Sequence, residues 1–264
     1  MGAGLPRVIL REIDLSQYVD TLIKGVSCVE GITEKGPIGK PQLISSEAQF
    51  DRVFGGNLKN SDFPLLAKRA LSYGAVLWVS RVVHYTDITK LNTCAARTAS
   101  VEIKDRASEP EATLKISAAN PGTWGNKLQI EISASALDPE HLFTLSVIDD
   151  GEDVETLSDV SMDDDSEFYI ENQKSNYIVL EDLASESGAN VDRPALGTYT
   201  LTGGVDGTDL MTDADYIGSA TNKTGMYAFD EVDDALQLAV PGITSAAVIT
   251  AGLAYCENRK DLVY

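Results

Sequence analysis

Basic residues are scarce in this sequence: 21 lysines and arginines stand against 41 aspartates and glutamates, a net charge of −20 over 264 residues. So acidic a chain repels phosphates, and direct nucleic-acid binding is disfavoured. Cysteine and histidine are rarer still. Cys28, Cys94, Cys256, His84 and His141 lie far apart, and neither a CxxC nor an HxxxH pair occurs. That spacing excludes a zinc quartet and a disulfide framework, and it leaves free thiols suited to a reducing compartment. No stretch reaches the roughly 18 to 20 consecutive apolar residues of a membrane span, so no membrane insertion is expected. The opening residues lack the basic flank, apolar core and small-residue cleavage site of a secretory signal. Met1-Gly2 does not complete a myristoylation motif, because Pro6 stands where serine or threonine is required.

Catalytic signatures are missing too. Gly31 to Gly36 has the glycine spacing of a phosphate loop, but Pro37 replaces the lysine. Gly36-Pro37-Ile38-Gly39-Lys40-Pro41 reads better as two tight turns. No GxGxxG follows a strand and no GxSxG elbow occurs, while the histidines are too isolated to suggest a Ser–His or Cys–His couple. Asp206, Asp209, Asp213 and Asp215 form the most tempting carboxylate cluster. The EF-hand spacing and its terminal glutamate are absent, and the plainer reading is a turn at Asp206-Gly207 with Thr212 and Asp213 capping a short helix. Asp163-Asp164-Asp165 reads as a solvated loop. Composition leaves open a carboxylate pair of the kind glycosidases use, since its separation is a three-dimensional property. No catalytic residue, metal ligand or cofactor-binding residue is assigned.

What the chain does have is two kinds of pattern. Residues 1–22 are extended and apolar on both faces: Arg7, Ile9, Arg11 and Ile13 alternate with Val8, Leu10, Glu12 and Asp14. Such a segment needs partners on both sides, as an internal strand or as an arm ordered by another subunit. Residues 23–91 alternate strands and helices. Ser46-Glu47-Ala48-Gln49 is a capping box, Phe50, Val53 and Phe54 give helical burial, and Gly55-Gly56 stops the helix. A second helix is predicted from Pro64 to Tyr73, with Leu66, Ala70 and Tyr73 on the buried face. The run from Ala75 to Val83 is nearly continuously apolar and β-branched, as in a strand covered on both sides.

Near residue 92 the character changes. Residues 113–117, 128–132, 143–147 and 177–180 are short alternating runs, which indicate antiparallel strands with one wet face. Residues 149–192 carry 15 acidic residues and one lysine, so this part faces water. Residues 92–201 therefore read as a β-rich insertion, and residues 202–264 return to the earlier pattern. There Leu236 to Val240 is a buried strand, Thr244 or Ser245 caps a helix with Ala247, Val248, Ala251 and Tyr255 on one face, and Leu262-Val263-Tyr264 begins another strand. That order implies a parallel crossover. The fold class is α/β (α+β overall): a mixed-sheet core, discontinuous in sequence, with an inserted antiparallel β-rich domain.

Several segments, in order, resemble the contractile tail sheath family of phages, prophages and tailocin-like particles. They are MGAGLP at the start, residues 31–56 (GITEKGPIGKPQLISSEAQFDRVFGG), residues 63–83 (FPLLAKRALSYGAVLWVSRVV) and residues 120–132 (NPGTWGNKLQIEI). LTGGVDGTD, DYIG, YAFDEVDDALQLAVPG and AYCENRKDLVY follow. Residues 92–119 and 133–200 have no clear counterpart. The resemblance implies a structural, non-enzymatic subunit that forms stacked homo-oligomeric rings around an inner tail tube protein, with baseplate and terminator proteins at the ends. It implies a place in the virion tail after synthesis and assembly in the bacterial cytoplasm. It also turns residues 1–22 into an exchanged arm, with Leu5, Val8, Ile9, Leu10 and Ile13 as intersubunit residues, and puts the acidic insert on the outside. Sheath proteins continue past the position of Tyr264, so further core and a C-terminal arm are implied there. Two rival readings remain at this point: an acidic β-rich binding or adhesion module, and a carboxylate-based hydrolase.

Overall fold

The computed structural model describes residues 25–184 and 192–264. A four-stranded mixed sheet forms one part of it. Strand β1 (Val26–Gly31) lies inside the sheet; β2 (Gln42–Ile44) and β3 (Val76–Arg81) follow it in the chain. The last strand of the molecule, β11 (Gln237–Ala239), lies on the other side of β1, giving the order β11-β1-β3-β2. β1 runs parallel to both neighbours, with Cys28 opposite Trp78 and Leu238. Only β2 is antiparallel, pairing Leu43 with Trp78.

Helices close both faces, as parallel pairing requires of its crossovers. On one face Val29, Leu77 and Val79 meet helix α1 (Glu47–Phe54) and helix α2 (Phe63–Ser72) through Phe50, Phe54, Phe63, Ala67 and Leu71. Phe50 lies 5.4 Å from Phe54 and 6.4 Å from Phe63, centroid to centroid, in tilted contacts that aromatic quadrupoles favour. On the other face Cys28, Val82 and Leu238 meet Val248, Tyr255 and Cys256 of helix α4 (Ala246–Arg259), with Met226 and Phe229 beside them. This alternation of neighbouring residues between two cores is why β1 and β3 read as largely apolar.

The caps follow local chemistry. The Ser46 hydroxyl accepts from the Gln49 N–H at 3.2 Å, and Gly55 ends α1 with φ of 84°. The Gln49 side chain returns to the Ser45 N–H at 2.9 Å, one residue earlier than a capping box would place it. Ser245 caps α4 by accepting from the Ala247 N–H. The buried side of α2 differs from expectation. Phe63, Pro64, Ala67 and Leu71 face the core, whereas Leu66 is 43% and Tyr73 77% exposed. Phe63 begins the helix one residue early and seats itself against Gly31, so the apolar stripe is set from Phe63.

The β-rich part contains two antiparallel sheets over one core. One sheet has the order β10-β6-β7-β8, with β6 Gln129–Ala134, β7 Phe143–Asp149, β8 Glu152–Val160 and β10 Gly197–Thr200. The other is β4-β5-β9, with β4 Ser100–Lys104, β5 Ala112–Ala118 and β9 Ile178–Asp182. Leu114, Ile116, Ile130, Ile132, Leu145, Val147, Ile178 and Leu180 point between the sheets, and Trp124 and Phe143 join them. The opposite faces carry charge, as at Lys115–Glu181, 2.8 Å apart. β4, β8 and β10 are strands that the hydrophobic pattern did not reveal. β8 is an edge strand whose Glu152, Asp153 and Glu155 side with solvent, a device that discourages pairing with another chain.

Candidate functional site

The arm residues Leu5, Val8, Ile9, Leu10 and Ile13 lie outside the described residues. What the structure does show is the sheet to which the arm leads and the junction where the β-rich part joins it.

The mixed sheet has two unlike edges. β2 is three residues long and follows Pro41, a short border with little to offer another strand. Beyond β11 the chain returns from α4 and starts to pair again. Val263 lies parallel to Gln237; its carbonyl accepts from the Leu238 N–H at 2.8 Å and its N–H donates to the Leu236 carbonyl at 3.0 Å. Val263 is 68% exposed, and Leu236, Ile249 and Leu253 are also exposed.

At the junction the outgoing and returning chains form a paired stem. Arg97 and Val205 exchange backbone hydrogen bonds at 2.9 Å, and Ser100 and Thr202 do so at 2.9 and 3.1 Å. Asn126 clasps Gly204 from both ends, donating to its carbonyl at 2.9 Å and accepting from its N–H at 2.8 Å. A Cβ on Gly204 would overlap the carbonyl oxygen of Gly122, so the glycine pair after Leu201-Thr202 permits this close approach.

Arg81, at the end of β3, is 2% exposed and ties this stem to the sheet. Its guanidinium donates to the carbonyls of Pro121 at 2.6 Å, Gly36 at 3.2 Å and, at longer range, Asp206. Burial pushes its pKa down to about 10, against the partial support of the nearby Asp206 charge. Three chain segments thus converge on one buried cation.

The structure separates the carboxylates that looked like a cluster. Asp206 accepts from the Thr123 N–H at 2.6 Å and from its hydroxyl. Asp215, 2% exposed, accepts from His84 Nδ1 at 2.9 Å, the Tyr85 N–H at 2.9 Å and the Thr212 N–H at 2.8 Å, which makes it a cap of helix α3 (Asp213–Ile217). Asp213 accepts from the Ser245 hydroxyl at 2.6 Å. Each of these three has a separate structural partner. Among the described residues, Asp163, Asp164 and Asp165 alone bring three potential ligand atoms within 4.8 Å of one another, and all three are exposed. His141 contacts Asp138 on the surface at 2.8 Å. Neither histidine hydrogen-bonds to a serine, threonine or cysteine among the described residues, and burial raises the Cys28 thiol to about 12, far from a reactive thiolate.

The chain superimposes on two solved structures over nearly its whole length. A sheath tail protein from Listeria innocua matches with a TM-score of 0.62 at 16% identity, over 90% of this chain and 45% of that one. A sheath tail protein from Desulfitobacterium hafniense matches with a TM-score of 0.56 at 17% identity, over 98% of this chain and 50% of that one. The chain has the sheath tail protein fold. It spans about half the length of these two sheath proteins. No protein-family model and no curated protein sequence matches it. Among the described residues, no helix of this sheath fold is long and apolar enough to cross a membrane.

Sequence reasoning missed Arg81, Asp215 and Glu30 as buried polar residues. A signal existed for two of them: Arg81 interrupts the apolar run AVLWVSRVV, and Glu30 ends the run GVSCVE, both in strands that a two-sided core must cover.

Proposed function

We propose that this chain is a structural subunit of a contractile tail sheath, without catalytic activity of its own. Identical subunits stack as rings around an inner tail tube protein, between baseplate and terminator proteins, and contract to drive the tube through a cell envelope. The observation that carries this reading is the shared fold with two sheath tail proteins over 90% and 98% of the chain; the ordered sequence segments from residue 31 to Tyr264 support it independently. Residues 23–91 and 202–264 form the core that mediates ring contacts, and residues 92–201 form a surface domain whose acidic face points away from the tube. Contraction exchanges one set of subunit interfaces for another, and the subunit itself need not refold. Its location is the tail of a particle assembled in the bacterial cytoplasm, with no direct nucleic-acid contact.

In this reading residues 1–22 are the connecting arm, with Leu5, Val8, Ile9, Leu10 and Ile13 adding a strand to a neighbouring subunit. Deleting residues 5–14 is expected to abolish polymers and leave a folded monomer, measured by electron microscopy together with circular dichroism. Normal sheaths from the deletion would defeat the assignment of the arm.

A further inference from the structure

Glu30 is fully buried on β1, and neither of its carboxylate oxygens has a hydrogen-bond partner among the described residues. Opposite it on β3, in parallel register, stands Ser80, buried at 1% exposure with its hydroxyl also unpartnered among them, so the two side chains do not bond each other. Two adjacent unsatisfied polar groups in one core are unusual, because each forfeits its hydration.

Among the described residues, the groups packed around this face offer no counter-charge. β1 adds the Cys28 thiol, two residues away and also buried. From α3 comes Tyr216, and from the segment after α4 comes Tyr264; burial raises the pKa of each phenol. Asp215 is committed to His84, Tyr85 and Thr212, and Asp213 to Ser245. On α4, Cys256 and Tyr255 are neutral. The cation of that helix, Arg259, is occupied by Asp261 and by the carbonyls of Phe229 and Val232. β11 contributes Leu238, with Val240 just after it, on this side. Arg81 follows Ser80 and therefore points to the opposite face of the sheet.

We infer that Glu30, sealed in the core with neither oxygen bonded among the described residues, is held as a neutral carboxylic acid, so that the stability of this side of the sheet depends on its proton. An unpaired carboxylate costs far more to bury than an unpaired neutral carboxyl, so the site suits Glu30 only while the proton is present. Loss of the proton leaves a bare carboxylate that has to be hydrated or paired, which the packing described here does not provide.

The sign follows from linkage. The unfolded chain releases this proton in the ordinary carboxylate range, while the folded chain retains it to well above that range because of burial. Stability from this residue is therefore greatest at acid pH. It falls as pH rises, by up to about tenfold in the folding equilibrium constant per pH unit, until the folded state also deprotonates.

The experiment is chemical denaturation of the wild-type chain and Glu30→Gln from pH 5 to 9, with infrared spectra of both proteins at neutral pH. The ratio of the Glu30→Gln folding constant to that of the wild type is expected to climb with pH by up to about tenfold per unit. A protonated-carboxyl stretch is expected in the wild type and not in the variant. A pH-independent ratio overturns the inference. Should Glu30→Gln fail to fold, the wild-type spectrum decides: without a protonated-carboxyl band at neutral pH, Glu30 is not held neutral and the inference fails.

Discussion

Replacing Arg81 with methionine removes the guanidinium while nearly preserving side-chain volume. Two of its hydrogen bonds, to Pro121 and Gly36, lie within 3.2 Å, and bonds from a charged donor contribute about 1.5–3 kcal/mol each. The gross loss is therefore about 3–6 kcal/mol. Against it stands the cost of burying the cation: the fall of its pKa from 12.5 to about 10 corresponds to roughly 3 kcal/mol. The net destabilisation is expected to be about 0–3 kcal/mol. At roughly 2–4 °C per kcal/mol for a chain of this size, the melting temperature drops by at most about 12 °C. The loss should be local before it is global, because the freed carbonyls belong to the loop at Gly36 and the turn at Pro121. Hydrogen exchange should accelerate first at Thr123, whose N–H is held by Asp206, and at Gly204 and Val205 in the stem. Calorimetry and exchange mass spectrometry on the two proteins measure both effects. An unchanged melting temperature with unchanged exchange across the stem would refute the claim that Arg81 joins the β-rich part to the sheet.

Other outcomes follow from the same contacts. Phe50→Ala, emptying a fully buried ring site between Phe54 and Phe63, should cost about 3–5 kcal/mol in chemical denaturation. Ser46→Ala should cost about 1 kcal/mol through the lost α1 cap, with Ser46→Gly milder; equal losses from both would point to another role for the hydroxyl. Triple replacement of Asp163, Asp164 and Asp165 by asparagine should leave the melting temperature with and without calcium alike. A calcium-dependent rise in the wild type that the replacement abolishes would instead make that loop a metal site.

What the sequence disclosed depended on how locally each feature is encoded. The α1 cap was legible because Ser46, Gln49, Phe50, Phe54 and Gly55 all interact within ten residues of one another. β5, β6, β7 and β9 were legible because each alternates buried apolar residues with mostly polar outward ones. β8 was not, since an edge strand has little apolar area to bury and its glutamates read as a solvated loop. The face of α2 was misjudged because Leu66, Ala70 and Tyr73 imitate a buried stripe, whereas the helix is oriented by Phe63 against Gly31, a contact between residues far apart in sequence. Arg81 and Glu30 were visible only as oddities: the partners of Arg81 lie 40 to 125 residues away in sequence, and Glu30 stands out by having no partner among the described residues. The Asp206–Asp215 segment was read as a turn and a cap. The structure agrees on Gly207, with φ of 68°, and assigns the cap to Asp215 with Thr212.

The central claim is assembly, and the most direct test is electron microscopy of the natural gene product carrying this sequence, purified alone and with its tube protein. The account predicts striated tubes or sleeves of stacked rings, with the tube enclosed when it is present. A protein that remains a monodisperse monomer under both conditions would contradict it.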